Sequence, residues 1–346
     1  MSPMTQLIVI FNLIAGSTIT ASSHHWLMAW AGLELNMLSI LVIIMQPKHP
    51  RATEAAIKYF LIQAIASAVM LFSGTLNAMQ TGQWDITQLT DNYASTMFMM
   101  AMFMKVGAVP IYFWLPEVMQ GTTTKTALII TTWQKIAPIT LLFMTFNNIS
   151  PSLMIFMGIL SITIGGWGGI NQTQLRKLMA YSSLANTGWT LVIFSTHPNT
   201  AMLNIIIYMT MLIPTFLLME NMMMKTLQDT TTSWSSSTMA NMTLMLMFLS
   251  LGGLPPLTGF APKLLILNEL ILQNLTAMAS ITAILSLISL FFYVRTTYIM
   301  TMTTPPLSTP TTMKWRQKSY YNKPLSTLII FSTANILLLP TMVALI

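Results

Sequence analysis

Apolar runs of about 20 residues follow one another along this 346-residue chain, separated by short polar turns. A helix of that length spans the hydrocarbon of a bilayer, where each backbone N–H and C=O must be satisfied within its own segment. The fold class is therefore all-α and polytopic. Eleven transmembrane segments are expected, near 3–22, 26–45, 55–79, 95–117, 126–146, 152–170, 175–195, 200–222, 239–272, 276–302 and 325–345. Charged residues make up only 7% of the chain, against roughly 25% in soluble domains.

The few charges sort by side. Lys48, Arg51, Lys58, Lys125, Arg176, Lys177, Lys225, Lys314, Arg316, Lys318 and Lys323 follow even-numbered segments. The turns after odd-numbered segments hold Asp85, Asp91 and His197 but no lysine or arginine. By the positive-inside rule the N-terminus lies inside and the C-terminus outside. Topology thus accounts for the net charge of +7, with no need of nucleic acid as a partner. Arg295, about five residues from an inner end, reads as a snorkelling anchor. Glu54 and Lys58 form an i,i+4 pair. The stretch 303–324 reads as a polar, basic inner loop, and the first residues lack the marks of a signal or transit peptide.

Several chemistries are excluded. With no cysteine there is no disulfide, thiolate metal site or iron–sulfur ligation, and four scattered histidines do not make a haem or zinc cluster. Gly165-Gly166-Trp167-Gly168-Gly169 lacks the Gly-Lys-Ser/Thr of a phosphate loop and suits close helix packing. No nucleophile triad, paired carboxylate or dinucleotide fingerprint is present. The chain does no covalent chemistry.

Two segments are broken. The first carries Lys105 and Gly107-Ala-Val-Pro110, then Pro116-Glu117; the second carries Gly252-Gly-Leu-Pro255, then Pro262-Lys263. Irregular backbone at membrane depth survives only where protein covers it or it lines a cavity. The two patterns lie 145 residues apart, five helices on, and an odd number of crossings reverses the direction of the second copy. An inverted-topology repeat is expected, with discontinuous helices at a midplane ion site. The first five-helix repeat covers 1–149, the second 150–302, the basic loop 303–324 and a last helix 325–346. The lysines do not superpose: Lys105 precedes its break, and Lys263 follows its own.

Glu34 and Lys135 also lie far from any segment end, and at 1.5 Å per residue all four groups stand roughly 12–18 Å from an interface. That exceeds the reach of a snorkelling stem. Three amines against one carboxylate cannot all be neutralised as structural ion pairs. A desolvated amine near its switching point suits a proton relay. Tyr112, Tyr181, Ser182, Ser183, Asn186 and Thr258 are placed to support water chains, or to hydrogen-bond between helices.

Four strings carry a resemblance: Pro50-Arg-Ala-Thr-Glu-Ala, MKVGAVPIYFWLPEVMQG at 104–121, GGWGGINQTQLRKLMAYSSLANTGW at 165–189 and GGLPPLTGFAPK at 252–263. They closely resemble the subunit 2 family of mitochondrial NADH–ubiquinone oxidoreductase, respiratory complex I. The likeness is strongest through 23–290, the core shared with cation/proton antiporter subunits. It implies an eleven-helix antiporter-like fold in the mitochondrial inner membrane, N-terminus on the matrix side and C-terminus on the intermembrane-space side. It also implies a hetero-oligomer with other antiporter-like and small membrane-arm subunits and with inner-membrane lipids. NAD, FMN, iron–sulfur clusters and ubiquinone would sit on other subunits, with no cofactor in this chain. Glu34 and Lys105 resemble the family's coupled carboxylate and amine, Lys135 the next group on the axis, and Lys263 the group nearest the exit or the next subunit. Tyr112 and Asn186 stand where relatives often carry histidine, so an imidazole path there is not available to this chain. A free-standing cation/proton antiporter and a structural membrane scaffold are the competing readings.

Overall fold

The turns that end the apolar runs are also helix caps. His25 and His49 each accept a hydrogen bond through Nδ1, from the amide of Leu27 at 3.2 Å and of Arg51 at 3.1 Å. Asp91 and Thr123 cap the same way, which satisfies amides that would otherwise be orphaned at a helix start. Pro50 and Pro198 open helices where a missing N–H costs nothing. Two of the four histidines are thus accounted for as caps.

The computed structural model describes residues 3–235, 237–302 and 323–334. Most of the expected basic loop, with Lys314, Arg316 and Lys318, and the end of the last expected segment lie outside the described residues. The chain divides into two compact units, at residue 161. Among the described residues the regular structure is helical, with two isolated bridges between turns.

Unit 1 comprises α1 (Pro3–Ser22), α2 (Trp26–Ile44), α3 (Pro50–Thr81), α4 (Asn92–Val106), α5 (Trp114–Gly121), α6 (Thr124–Thr131), α7 (Trp133–Met144) and the first half of α8 (Pro151–Ile170). Its interior holds Trp26 edge-on to Phe98 at 5.3 Å, while Leu7, Phe11 and Phe72 point outward and are exposed. An apolar exterior of that extent faces lipid or other protein. At one end the turn after α1 pairs with the turn after α3 through Trp26 N to Trp84 O (3.2 Å) and Ile86 N to His24 O (2.9 Å). Asn148 donates to Thr87 O there, at 2.6 Å. At the other end Lys58 binds Glu54 at 2.5 Å, as the sequence spacing predicts, and Glu117 at 2.7 Å.

Unit 2 continues α8 and adds α9 (Leu175–Phe194), α10 (Pro198–Asn221), α11 (Leu227–Thr232), α12 (Thr238–Gly252), α13 (Phe260–Leu272), α14 (Thr276–Met302) and α15 (Lys323–Ala334). The turn before α9 pairs with the turn before α11 through Leu175 N to Lys225 O (3.1 Å) and Leu227 N to Thr173 O (3.0 Å). His197, at the start of α10, meets Glu269 near the end of α13 at 3.3 Å. Tyr181 packs on Gly168 and Phe292 on Gly169, so the glycine run serves close packing. Arg295, the expected snorkelling anchor, donates from its guanidinium to the Ile170 carbonyl that ends α8.

Among the described residues seven helices, rather than eleven, are long and apolar enough on their own to cross a membrane. Of the other four expected segments, two are the broken ones, α4–α5 and α12–α13. The third is α9, which carries Arg176 and Lys177, and the fourth is described only in part, as α15. A further break appears in α6–α7, where Thr132 leaves helical geometry at ψ −76°.

The two breaks match closely. α4 and α12 are each 15 residues long and each ends at a left-handed glycine, Gly107 at φ +82° and Gly253 at φ +81°. Only glycine takes that conformation without steric cost. The second half-helices, α5 and α13, each begin seven residues later and carry proline at their third position. The spacing is thus 146 residues, one more than the sequence pattern suggests: Gly107 corresponds to Gly253 rather than Gly252, and Lys105 to Leu251 rather than Ser250.

Candidate proton-relay sites

In unit 1, α2, α3, α4 and α7 each bring polar groups to one internal cavity of about 10 Å³, lined by Asn36, Gln63, Lys105 and Gln134. That is close to the least volume that holds one water. Both polar atoms of Asn36 and the Oε1 of Gln134 are buried with no hydrogen-bond partner in the protein. Polar walls and unclaimed hydrogen-bonding atoms fit a solvent molecule far better than an apolar void. Pro138 also lines the cavity, and lacking an N–H it cannot donate to the carbonyl of Gln134 one turn earlier.

Lys105 is 4% exposed and sits in the last turn of α4, just before Gly107. The carbonyl end of a helix favours a cation by about 0.3–1 kcal/mol, and more when partly buried. Gln63 donates to the Lys105 carbonyl at 3.5 Å, a long contact. Glu34, half-buried on α2, acts electrostatically on Lys105 and on Tyr59, but it forms no direct ion pair with Lys105. Lys135 is also 4% exposed, on α7 beside Gln134.

In unit 2, Lys263 donates from Nζ to the Gly252 carbonyl at 2.8 Å. A methyl on Gly253 would lie 2.8 Å from that Nζ, so the lysine stem occupies the space a side chain would need. Lys263 therefore ends at the carbonyl terminus of α12, much as Lys105 sits at that of α4. The two lysines are offset in sequence, Lys105 belonging to the last turn of its first half-helix and Lys263 reaching the end of its own from the second half-helix. Around Lys263 lie Ser182, Asn186 and Tyr293, in a crevice with no room for a water. Tyr208 and Tyr293 have buried hydroxyls that face Ser182 without reaching hydrogen-bond geometry.

Several supporting groups differ from expectation. Ser182 and Ser183 donate to the carbonyls of Met179 (2.7 Å) and Ala180 (2.8 Å) in their own helix, so their protons are engaged. Asn186 donates to Ser182 O at 3.1 Å, and Thr258 points at the Met211 sulfur at 3.3 Å. Tyr181 packs on Gly168, and Tyr112 lies in the first break, ring to ring with Phe113 at 4.1 Å. Sequence reading passed over Asn36, Tyr59, Gln63, Gln134, Tyr208 and Tyr293. In unit 1 the available signal was Tyr59 and Gln63 at i,i+4 spacing in an apolar helix, with Gln134 next to a buried lysine.

Residues 23–289 match the family model described as NADH:quinone oxidoreductase/Mrp antiporter, and residues 290–343 match NADH dehydrogenase subunit 2 C-terminus. The chain belongs to this antiporter-like family. Relatives include NADH-ubiquinone oxidoreductase chain 2 of Varanus melinus, 52% identical over 341 residues and 98% of each chain. That of Carassius auratus is 46% identical over 98% of this chain and 97% of its own. The fold is shared with a chain of respiratory complex I from Thermus thermophilus, with a TM-score of 0.82 and 21% identity over 96% of this chain and 79% of that one. It is shared also with a chain of the Mrp complex from Dietzia, at 0.75 and 15% over 84% and 59%. The chain is thus an all-α polytopic membrane protein with the antiporter-like fold. The family membership covers both units and the buried amines in each.

Proposed function

We propose that this chain is a core membrane-arm subunit of a proton-pumping NADH–ubiquinone oxidoreductase in the mitochondrial inner membrane, relaying protons through Glu34, Lys105, Lys135 and Lys263. Electron transfer in other subunits, which carry NAD, FMN, the iron–sulfur clusters and ubiquinone, drives it. The observation that carries this reading is Lys105, 4% exposed at the end of a broken helix, beside a water-sized polar cavity and within electrostatic reach of Glu34. An amine so placed costs roughly 2.5–3.5 kcal/mol at mid-membrane and has no packing advantage over leucine. The tight crevice at Lys263 implies that any water wire there forms only when side chains move.

The architecture in this reading has eleven spans, with α4–α5, α9, α12–α13 and the segment begun by α15 added to the seven long helices. Two five-helix repeats, 1–149 and 150–302, run in opposite senses, followed by a basic loop at 303–324 and a last helix at 325–346. The matched 15-residue half-helices and their left-handed glycines support the repeat. The parity of the turn-to-turn pairings supports the count: the turns after spans one, three and five pair together, as do those after six and eight. Basic residues on the even turns support a matrix N-terminus and an intermembrane-space C-terminus.

Replacing Lys105 or Lys263 with methionine in the assembled complex is expected to abolish or uncouple pumping while electron transfer can continue. Protons translocated per electron measure this, and unchanged ratios in both variants would refute the assignment. The fold likeness to the Mrp chain favours one second reading, a free-standing cation/proton antiporter. The purified chain alone in liposomes would then exchange cations for protons, and we expect it not to.

A further inference from the structure

The 146-residue correspondence assigns a partner to Lys263 that lies outside the row of buried amines. Each second half-helix has proline third and a charged residue fourth: Pro116-Glu117 in α5, Pro262-Lys263 in α13. Glu117 is thus the unit 1 counterpart of Lys263, with the opposite charge. It is not left to solvent. Its Oε2 is 2.7 Å from Lys58 Nζ, and the same Nζ is 2.5 Å from Glu54, with Arg51 also acting on Glu54. The side chains of Glu117 and Lys58 are half-exposed at the basic end of the unit.

α3 links this triad to the Lys105 cavity. Next to Lys58, the Tyr59 ring packs edge-on against Trp114 at 5.8 Å, and its hydroxyl accepts from Gln134 Nε2. One turn further, Gln63 reaches Lys105 O. The Trp114 indole N–H spans the break to Met104 O at 3.1 Å. α3 therefore carries Glu54 and Lys58 of the exposed triad on one face and, about 100° round the helix, the buried Tyr59 phenol and the Gln63 amide on the cavity wall.

We infer that Glu117, held by Lys58, is the proton-loading group that feeds the Lys105 cavity from the basic end; this rests on the relay reading above. Hydronium from the bulk phase at that end gives a proton to the Glu117 carboxylate, which becomes neutral, and leaves a water. Lys58 stays paired with Glu54, so the triad passes from one net negative charge to none. The proton then leaves for a neutral Lys105 amine by way of the cavity, and the carboxylate returns to Lys58.

Four variants of the assembled complex test this, with Lys105→Met as reference, reading assembled amount and protons per electron. Glu117→Gln is expected to lower the ratio to the Lys105→Met level, and Glu117→Asp to keep it. The double variant Lys58→Met/Glu117→Gln removes both charges of the α3–α5 contact and leaves only Glu54, which is 62% exposed with Arg51 acting on it, so it assembles, and it shows the same low ratio. The reversed pair Lys58→Glu/Glu117→Lys is expected to restore assembly but not the ratio. An unchanged ratio in Glu117→Gln or in the double variant, or a ratio restored by charge reversal, overturns the inference and leaves Glu117 an anchor for α5. Normal pumping in Lys105→Met overturns the relay reading and this inference together.

Discussion

Tyr59 and Gln134 show how tightly the uncharged groups around the buried amines are committed. The phenol is fully buried and takes the Gln134 amide proton, while the other side of that amide is left for the cavity. Tyr59→Phe removes the acceptor and strands a buried N–H, at a cost of about 1–3 kcal/mol. The expected result is a lower temperature of thermal inactivation for the assembled complex, with protons per electron unchanged at low temperature; an altered ratio would give the phenol a direct part in transfer. Such residues were hard to read beforehand. A lysine in an apolar run announces itself because it has few affordable explanations, whereas a tyrosine or glutamine there has many, and only the fold says which. Ser182 and Ser183 illustrate the converse, since their hydroxyls turned out to serve their own helix.

At the scale of the element, each break is fixed by one left-handed glycine. Gly107→Ala forces an alanine into that conformation, costing about 1–2 kcal/mol. Gly253→Ala adds a methyl 2.8 Å from Lys263 Nζ, so it also crowds that amine. Both should lower thermal stability; Gly253→Ala should in addition depress proton translocation per electron, and equal effects from the two would argue against the Lys263 contact. The existence of both breaks was legible from glycine and proline in apolar segments. Their register was not, because Gly252-Gly253 offers two candidates and only a positive φ chooses between them. The break at Thr132 left no such mark, since threonine is common inside membrane helices and the proline nearby, Pro138, lies within α7 rather than at the interruption.

For the whole molecule, the proposed topology rests on the charge pattern, because so few charges are present that each one on a turn is informative. Length and hydropathy pick out seven helices among the described residues, because α9 holds Arg176 and Lys177 and the broken segments are split into pieces too short to qualify. The absence of cysteine allows a clean check of sidedness. A single cysteine at Lys225 should react with an impermeant maleimide only from the matrix side, and one at Asp85 only from the intermembrane space. Labelling of both from one side would invalidate the span count.

The turn-to-turn clips have a consequence for how the chain is made. His24 to Ile86, Lys58 to Glu117, Thr173 to Leu227 and His197 to Glu269 each join two points within one unit. Every clip of the first unit is therefore available to the nascent chain once Asn148 has emerged, before most of the second unit has been synthesised. Domains generally acquire their structure as units, N-terminal first. Biogenesis can accordingly proceed as two successive insertions, each locking its own hairpins, and a lesion late in the gene would leave the earlier half competent to settle in the bilayer.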